Sequence, residues 1–286
     1  MEKYRYRPFR FYCLVFLFTW GLWISAAVLT RVTDGNSFVS SLGLFLGLAG
    51  LFVPAITALV TVLGSKNAAL KKDLKDKLIG IFRLNPLNIT IAVILFFFII
   101  AISILVSTLF GQSLKQFSFV DFSFSVGGTS ALLTITLAAL LEEIGWRGYA
   151  EDSIANYCSW WKESIIFGLI WAFWHLPLIF IPGTYHYNIF HQNPLFMANF
   201  LLSVMPLGFL FTWVYVTNKR SILANMIFHF FVNFLQEKIA MTQITKCVET
   251  VILYIVAGII VYLNKDLFFE KGHIGNILKE EASPPQ

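Results

Sequence analysis

The sequence predicts an all-α integral membrane protein, a bundle of about eight transmembrane helices. Three observations carry that prediction: a shortage of charge, long apolar windows, and a one-sided distribution of Lys and Arg. Of the 286 residues, 57% are hydrophobic and 13% are charged, whereas soluble domains carry roughly a quarter charged residues. The mean hydropathy is +0.73. Thirty Phe and eight Trp add large apolar surface that is costly to leave in water. The spans consume nearly the whole length, so residues 1–286 read as a single membrane domain.

A hydrocarbon core about 30 Å thick needs roughly 20 apolar residues per helix. Windows of that kind fall at 11–30, 41–64, 88–110, 128–149, 164–182, 195–217, 221–240 and 247–264. Polar residues interrupt the last two most. Pro54, Pro177 and Pro206 lie inside windows, where membrane helices tolerate them. The first window follows a basic segment but is too long for a signal-peptide core and lacks a small-residue cleavage site. It therefore reads as the first span.

With the N-terminus in the cytoplasm, seventeen of the 21 Lys and Arg fall on the cytoplasmic side. Only Arg31, Lys115, Lys238 and Lys246 fall opposite. That bias predicts an even number of spans and both termini cytoplasmic. Residues 68–82 combine helical apolar spacing with a basic face, as expected of a helix lying on anionic headgroups. The tail 267–286 reads as flexible. Cys13, Cys158 and Cys247 lack CxxC or metal-ligand spacing, which excludes a disulfide framework and a sulfur-ligated metal. Membrane lipids are expected partners, and nucleic acid is not.

Ionisable residues inside apolar windows are costly and mark function or pairing. Three places carry them. The fourth window ends in Glu142-Glu143-Ile144-Gly145-Trp146-Arg147. Adjacent residues diverge by about 100° on a helix, whereas Glu143 and Arg147, four apart, can pair on one face. Glu142 is left to face something else; the plainer alternative is an interfacial cluster anchored by Trp146. The fifth window carries Trp171 and His175 on one face, and a lone buried His is commonly structural. The seventh carries His229 and Asn233, again four apart, suited either to converge on one oxygen or to bond helices together.

Depth decides between separate structural residues and one site. At about 1.5 Å per residue, Glu142, His229, His175 and Asn233 lie roughly 10, 12, 16 and 18 Å from the basic boundary. They share a layer and predict a single polar site in a cytoplasm-facing intramembrane cavity. His186 and His191 fall in the loop after the fifth window, on the far side, and read as solvated. Glu237 and Glu249 are discounted for the same reason.

A carboxylate and an imidazole flanking a water can take its proton. An imidazole and an amide can stabilise the oxyanion of a tetrahedral intermediate. Amide hydrolysis by activated water follows, and no Ser or Cys accompanies these motifs to form an acyl-enzyme.

The trio Glu142-Glu143-x-x-x-Arg147, Trp171-x-x-x-His175 and His229-x-x-x-Asn233 resembles the three motifs of the CAAX-processing and bacteriocin-processing intramembrane proteases. Its eukaryotic members are the type II CAAX prenyl endopeptidases. The resemblance covers roughly residues 128–240. It departs at Trp171, where the family usually has Phe. It implies that Glu142 and His175 activate water and that His229 and Asn233 form an oxyanion hole. Glu143 and Arg147 would support the helix end or a substrate carboxylate. The implied substrate is a prenylated CAAX C-terminus, cut after the lipidated cysteine, in a cavity open to cytoplasm and lipid.

Zinc is the alternative cofactor: one Glu and two His form a possible ligand set, but no HExxH helix is present. A metal-free glutamate mechanism is favoured, because a liganding Glu142 would leave only the Arg147-paired Glu143 as base. The competing class is a bacteriocin-immunity or scaffolding protein of the same fold. Retention of all four reactive groups argues against it. A transporter would show symmetric halves with broken helices, and none is apparent.

Overall fold

A computed structural model describes residues 4–31, 37–122 and 130–270. The chain runs through α1 (Pro8–Leu29), α2 (Ser37–Leu63), α3 (Ala68–Ile79), α4 (Pro86–Ser107), α5 (Ala131–Gly145), α6 (Glu151–Ala155), α7 (Trp160–Trp174), α8 (Tyr185–Gln192), α9 (Pro194–Thr217), α10 (Ile222–Lys238), α11 (Gln243–Leu263) and α12 (Lys265–Phe269). Among the described residues there is no strand, only one isolated bridge between Phe119 and Ile239. Each expected window coincides with helix over most of its described residues, and among the described residues six segments are long and apolar enough to cross a membrane. The window at 247–264 is one of these, so its polar residues do not break it. The helices in windows 128–149 and 221–240 fall short of that length, and these two carry Glu142 and His229.

Helix starts are written in the chain. Pro8, Pro86 and Pro194 open α1, α4 and α9, where the missing N–H costs nothing. Asn85, Ser130, Asn193, Ser221 and Thr242 cap their helices by accepting backbone N–H bonds, the usual work of such side chains. Small residues set close crossings. A Cβ on Gly145 would lie 2.4 Å from the Pro54 side chain, which brings α5 against α2; one on Gly168 would lie 3.0 Å from Met205 Cα, which brings α7 against α9.

Two irregularities place functional groups. Pro177 cannot continue α7 and disfavours helix at the preceding residue. The α-helix therefore stops at Trp174, and a 3₁₀ turn, Leu176–Phe180, follows. His175 becomes the cap residue at that stop. Between α5 and α6 the chain widens into a π-turn, Trp146–Ala150, a feature frequent at functional sites. Carbonyls of this turn are collected by side chains: Lys77 Nζ donates to Arg147 O at 3.1 Å and Gly148 O at 3.0 Å, and Tyr215 donates to Arg147 O at 3.0 Å.

The basic helix corrects one expectation. Rather than resting wholly on headgroups, α3 turns Asp73 and Lys77 inward, where both are buried. Asp73 pairs with Arg220 at 2.7 Å and Lys77 with Asp152 at 2.7 Å, and Arg220 also bonds Asp152. Burial pushes the Asp73 carboxyl up, but Arg220 and Lys77 beside it hold it well below the usual carboxylate range. A depressed folded-state value stabilises above the unfolded-chain value and is lost as pH falls through the folded one. Asp73→Asn is therefore expected to lower the melting temperature at pH 7, by about 3–5 kcal/mol of stability for a broken buried pair. The gap from wild type should narrow below about pH 4. Equal melting at pH 7 would contradict this.

At the chain end, Phe268 in α12 is buried, with its ring 6.0 Å from that of Phe209. The rest of the expected tail, from 271, lies outside the described residues.

Candidate active site

The site sits where α5, α7 and α10 face one another. Glu142 and Glu143 occupy the last full turn of α5, just before the π-turn. Glu142 is buried, and two indoles converge on its Oε2: Trp171 Nε1 at 3.0 Å and Trp146 Nε1 at 3.3 Å. Trp146 is wholly buried, so it is a hydrogen-bond donor to the carboxylate and not an interfacial anchor. Trp171 is likewise more than an aromatic spacer, since a Phe at that position has no N–H to give.

Glu143 makes the expected pair with Arg147, at 3.1 Å. It also meets His229, whose Nδ1 lies 2.8 Å from Oε1. Sequence spacing along one helix cannot show this second contact, because it crosses from α5 to α10. Arg147 is fully buried, pairs with Glu151 at 2.8 Å, and has its guanidinium 4.9 Å from the ring centres of both Phe167 and Phe211. It does not line the cavity.

The imidazole states follow from their partners. His175 Nδ1 lies 2.7 Å from the Trp171 carbonyl, which can only accept, so Nδ1 carries the hydrogen. Nε2 is then a bare acceptor when the ring is neutral. For His229, Nδ1 is engaged with Glu143 Oε1, which leaves Nε2 as the ring nitrogen open to another partner. Asn233 lies one turn further along α10 and is half-buried.

Glu142, His175, His229 and Asn233 all line one cavity of about 340 Å³. Two expectations change here. His186 is half-buried rather than solvated; its ring stacks on His175 with centres 5.4 Å apart, and it lines the cavity, as do Glu237 and Glu249. The fifth span explains why. Because α7 stops at Trp174, only nine residues separate His175 from α8, so the site lies nearer the α8 end than uniform helical depth implies. His191 is exposed, as read.

The cavity also extends toward α8 rather than toward the basic end. Trp146, Phe167 and Tyr215 are wholly buried and do not line it. Ser203 lines the cavity, but its hydroxyl donates to Phe200 O in its own helix at 2.8 Å. Among the described residues, no three His, Cys, Asp or Glu side chains are grouped to hold a metal ion. His229 gives one nitrogen to Glu143, which removes that nitrogen from any ligand set.

The profile of the Type II CAAX prenyl endopeptidase Rce1-like family matches residues 127–235, a range that contains all three motifs. A protein of Methanococcus maripaludis named CAAX prenyl protease 2 is 40% identical over 272 residues, covering 95% of this chain and 99% of its own. Similarity of that extent, over an all-α bundle with six apolar membrane-length helices, places the chain by descent as well as by motif: it belongs to the type II CAAX prenyl endopeptidase family.

Proposed function

We propose that the chain removes the C-terminal tripeptide from prenylated CAAX proteins, using water activated by Glu142 and His175. The observation that carries this reading is the shared cavity, which brings a carboxylate, a bare imidazole nitrogen, a second imidazole and an amide onto one space. Water between Glu142 and His175 Nε2 loses its proton to one of them as its oxygen attacks the carbonyl after the prenylated cysteine. The His229 Nε2–H and the Asn233 amide donate to the developing oxyanion. The proton then passes to the leaving amine as the C–N bond breaks. Glu143 acts through His229, holding its Nδ1. No step requires a metal. Apolar lining from α2 and α9, including Leu44, Leu48 and Phe200, suits an isoprenoid beside the peptide.

Purified protein given a farnesylated CAAX peptide is expected to release the intact tripeptide. Recovery of uncut peptide under conditions where the protein is folded and monodisperse would remove the reading.

We also propose that both termini are cytoplasmic, on the strength of the basic asymmetry, an orientation under which the α8 end of the cavity faces away from the cytoplasm and not toward it as the sequence predicts. Single cysteines at positions 72 and 191, both exposed, report the two ends. Position 72 is expected to label from the cytoplasm and position 191 from the opposite side. Labelling of 191 from the cytoplasm would overturn the orientation and turn the α8 end of the cavity toward cytoplasmic substrates.

A further inference from the structure

A second groove, about 1100 Å³, lies between α1 and α2 and shares no lining residue with the catalytic cavity. Leu14, Phe18 and Leu22 form one wall, four residues apart on a single face of α1. Val53, Ile56 and Val60 of α2 form the other. Its rim carries Arg5, Arg7, Arg10 and Lys66, all exposed, and no carboxylate lines it. Among the described residues, none of the ion pairs engages these four cations.

The arrangement has a polarity. Arg10 lies in the first turn of α1, and Lys66 follows the end of α2, so both sit at the polar boundary of their spans. Leu22 lies twelve residues beyond Arg10, roughly 18 Å along the helix. One leaflet of a hydrocarbon core about 30 Å thick is about 15 Å deep. The groove is thus as deep as a leaflet and charged only at its headgroup end. A peptide there would leave backbone groups unpaired against apolar walls, which is costly in lipid, whereas a hydrocarbon chain has none to pair.

We infer that this groove binds an anionic glycerophospholipid, its phosphate among Arg5, Arg7, Arg10 and Lys66 and an acyl chain along Leu14, Phe18 and Leu22. The bound headgroup lies beside Tyr149, which also lines the groove and accepts from the Arg7 backbone at 3.0 Å. Tyr149 belongs to the π-turn that follows Glu142 and Glu143, so occupancy buttresses that turn.

Native mass spectrometry of the full chain, titrated with phosphatidylglycerol or phosphatidylcholine of matched chains, tests it. Each basic residue near an anionic headgroup contributes roughly fivefold. The double substitution Arg10→Gln, Lys66→Gln, at exposed positions, is expected to weaken phosphatidylglycerol retention by about thirtyfold and leave phosphatidylcholine unchanged. Wild type should prefer phosphatidylglycerol by at least that factor. Excess farnesylated peptide should not displace the lipid. Equal retention of the two lipids by wild type, unchanged retention in the double variant, or displacement by the peptide would each overturn the assignment.

Discussion

Glu142→Ala is expected to lower turnover of a farnesylated CAAX peptide by about 10²–10⁴-fold, the usual contribution of a positioned general base, while the protein still folds. The carboxylate is held by the Trp171 and Trp146 indoles and lines the cavity. The neighbouring Glu143 cannot replace it, because its oxygens are engaged by Arg147 and His229. Folding should survive, since alanine leaves two indole N–H groups unpartnered but no buried charge. Activity of Glu142→Ala equal to wild type, in a peptide-release assay with melting temperature as control, would overturn its role. Trp171→Phe, which restores the residue usual in the family, removes one of the two hydrogen bonds and is expected to cost far less.

His229→Ala and Asn233→Ala are each expected to lose about 10²–10³ in kcat with KM little changed, as when one oxyanion donor is removed. The motivating geometry is their one-turn spacing on α10 and their common exposure to the cavity. Glu143→Gln should lower kcat in the same direction, because the amide weakens the contact that fixes the His229 ring through Nδ1. Full activity of Asn233→Ala would remove the amide from the mechanism. A change confined to KM would assign both residues to substrate binding.

Much of this site was legible in the chain, for a physical reason. Contacts within a helix follow a fixed period, so Glu143–Arg147 and the shared face of His229 and Asn233 can be read from spacing alone. Contacts between helices have no such period. The Glu143–His229 bond, the indoles on Glu142, and the stacking of His186 on His175 depend on how the helices cross. Two breaks in regular helix decided the rest. The stop at Pro177 was present in the sequence as a proline, but a uniform rise along 164–182 hid its consequence, which is that His186 reaches the site. The π-turn at Trp146–Ala150 left no comparable mark. It is visible only through Lys77 and Tyr215, which collect its carbonyls from distant segments. The inward turn of Asp73 and Lys77 escaped for a similar reason: a basic face and a buried ion-pair network have the same local spacing, and only Asp152 and Arg220 distinguish them.

The central claim, hydrolysis by glutamate-activated water without a metal, meets its most direct test in metal content measured beside turnover. Elemental analysis of active wild type and of His229→Ala, on the same preparations used for peptide release, gives opposite expectations for the two mechanisms. The glutamate mechanism predicts active wild type with far less than one zinc per chain, and impairment of both His229→Ala and Asn233→Ala. Stoichiometric zinc in active wild type, lost in His229→Ala while Asn233→Ala stays active, would contradict it.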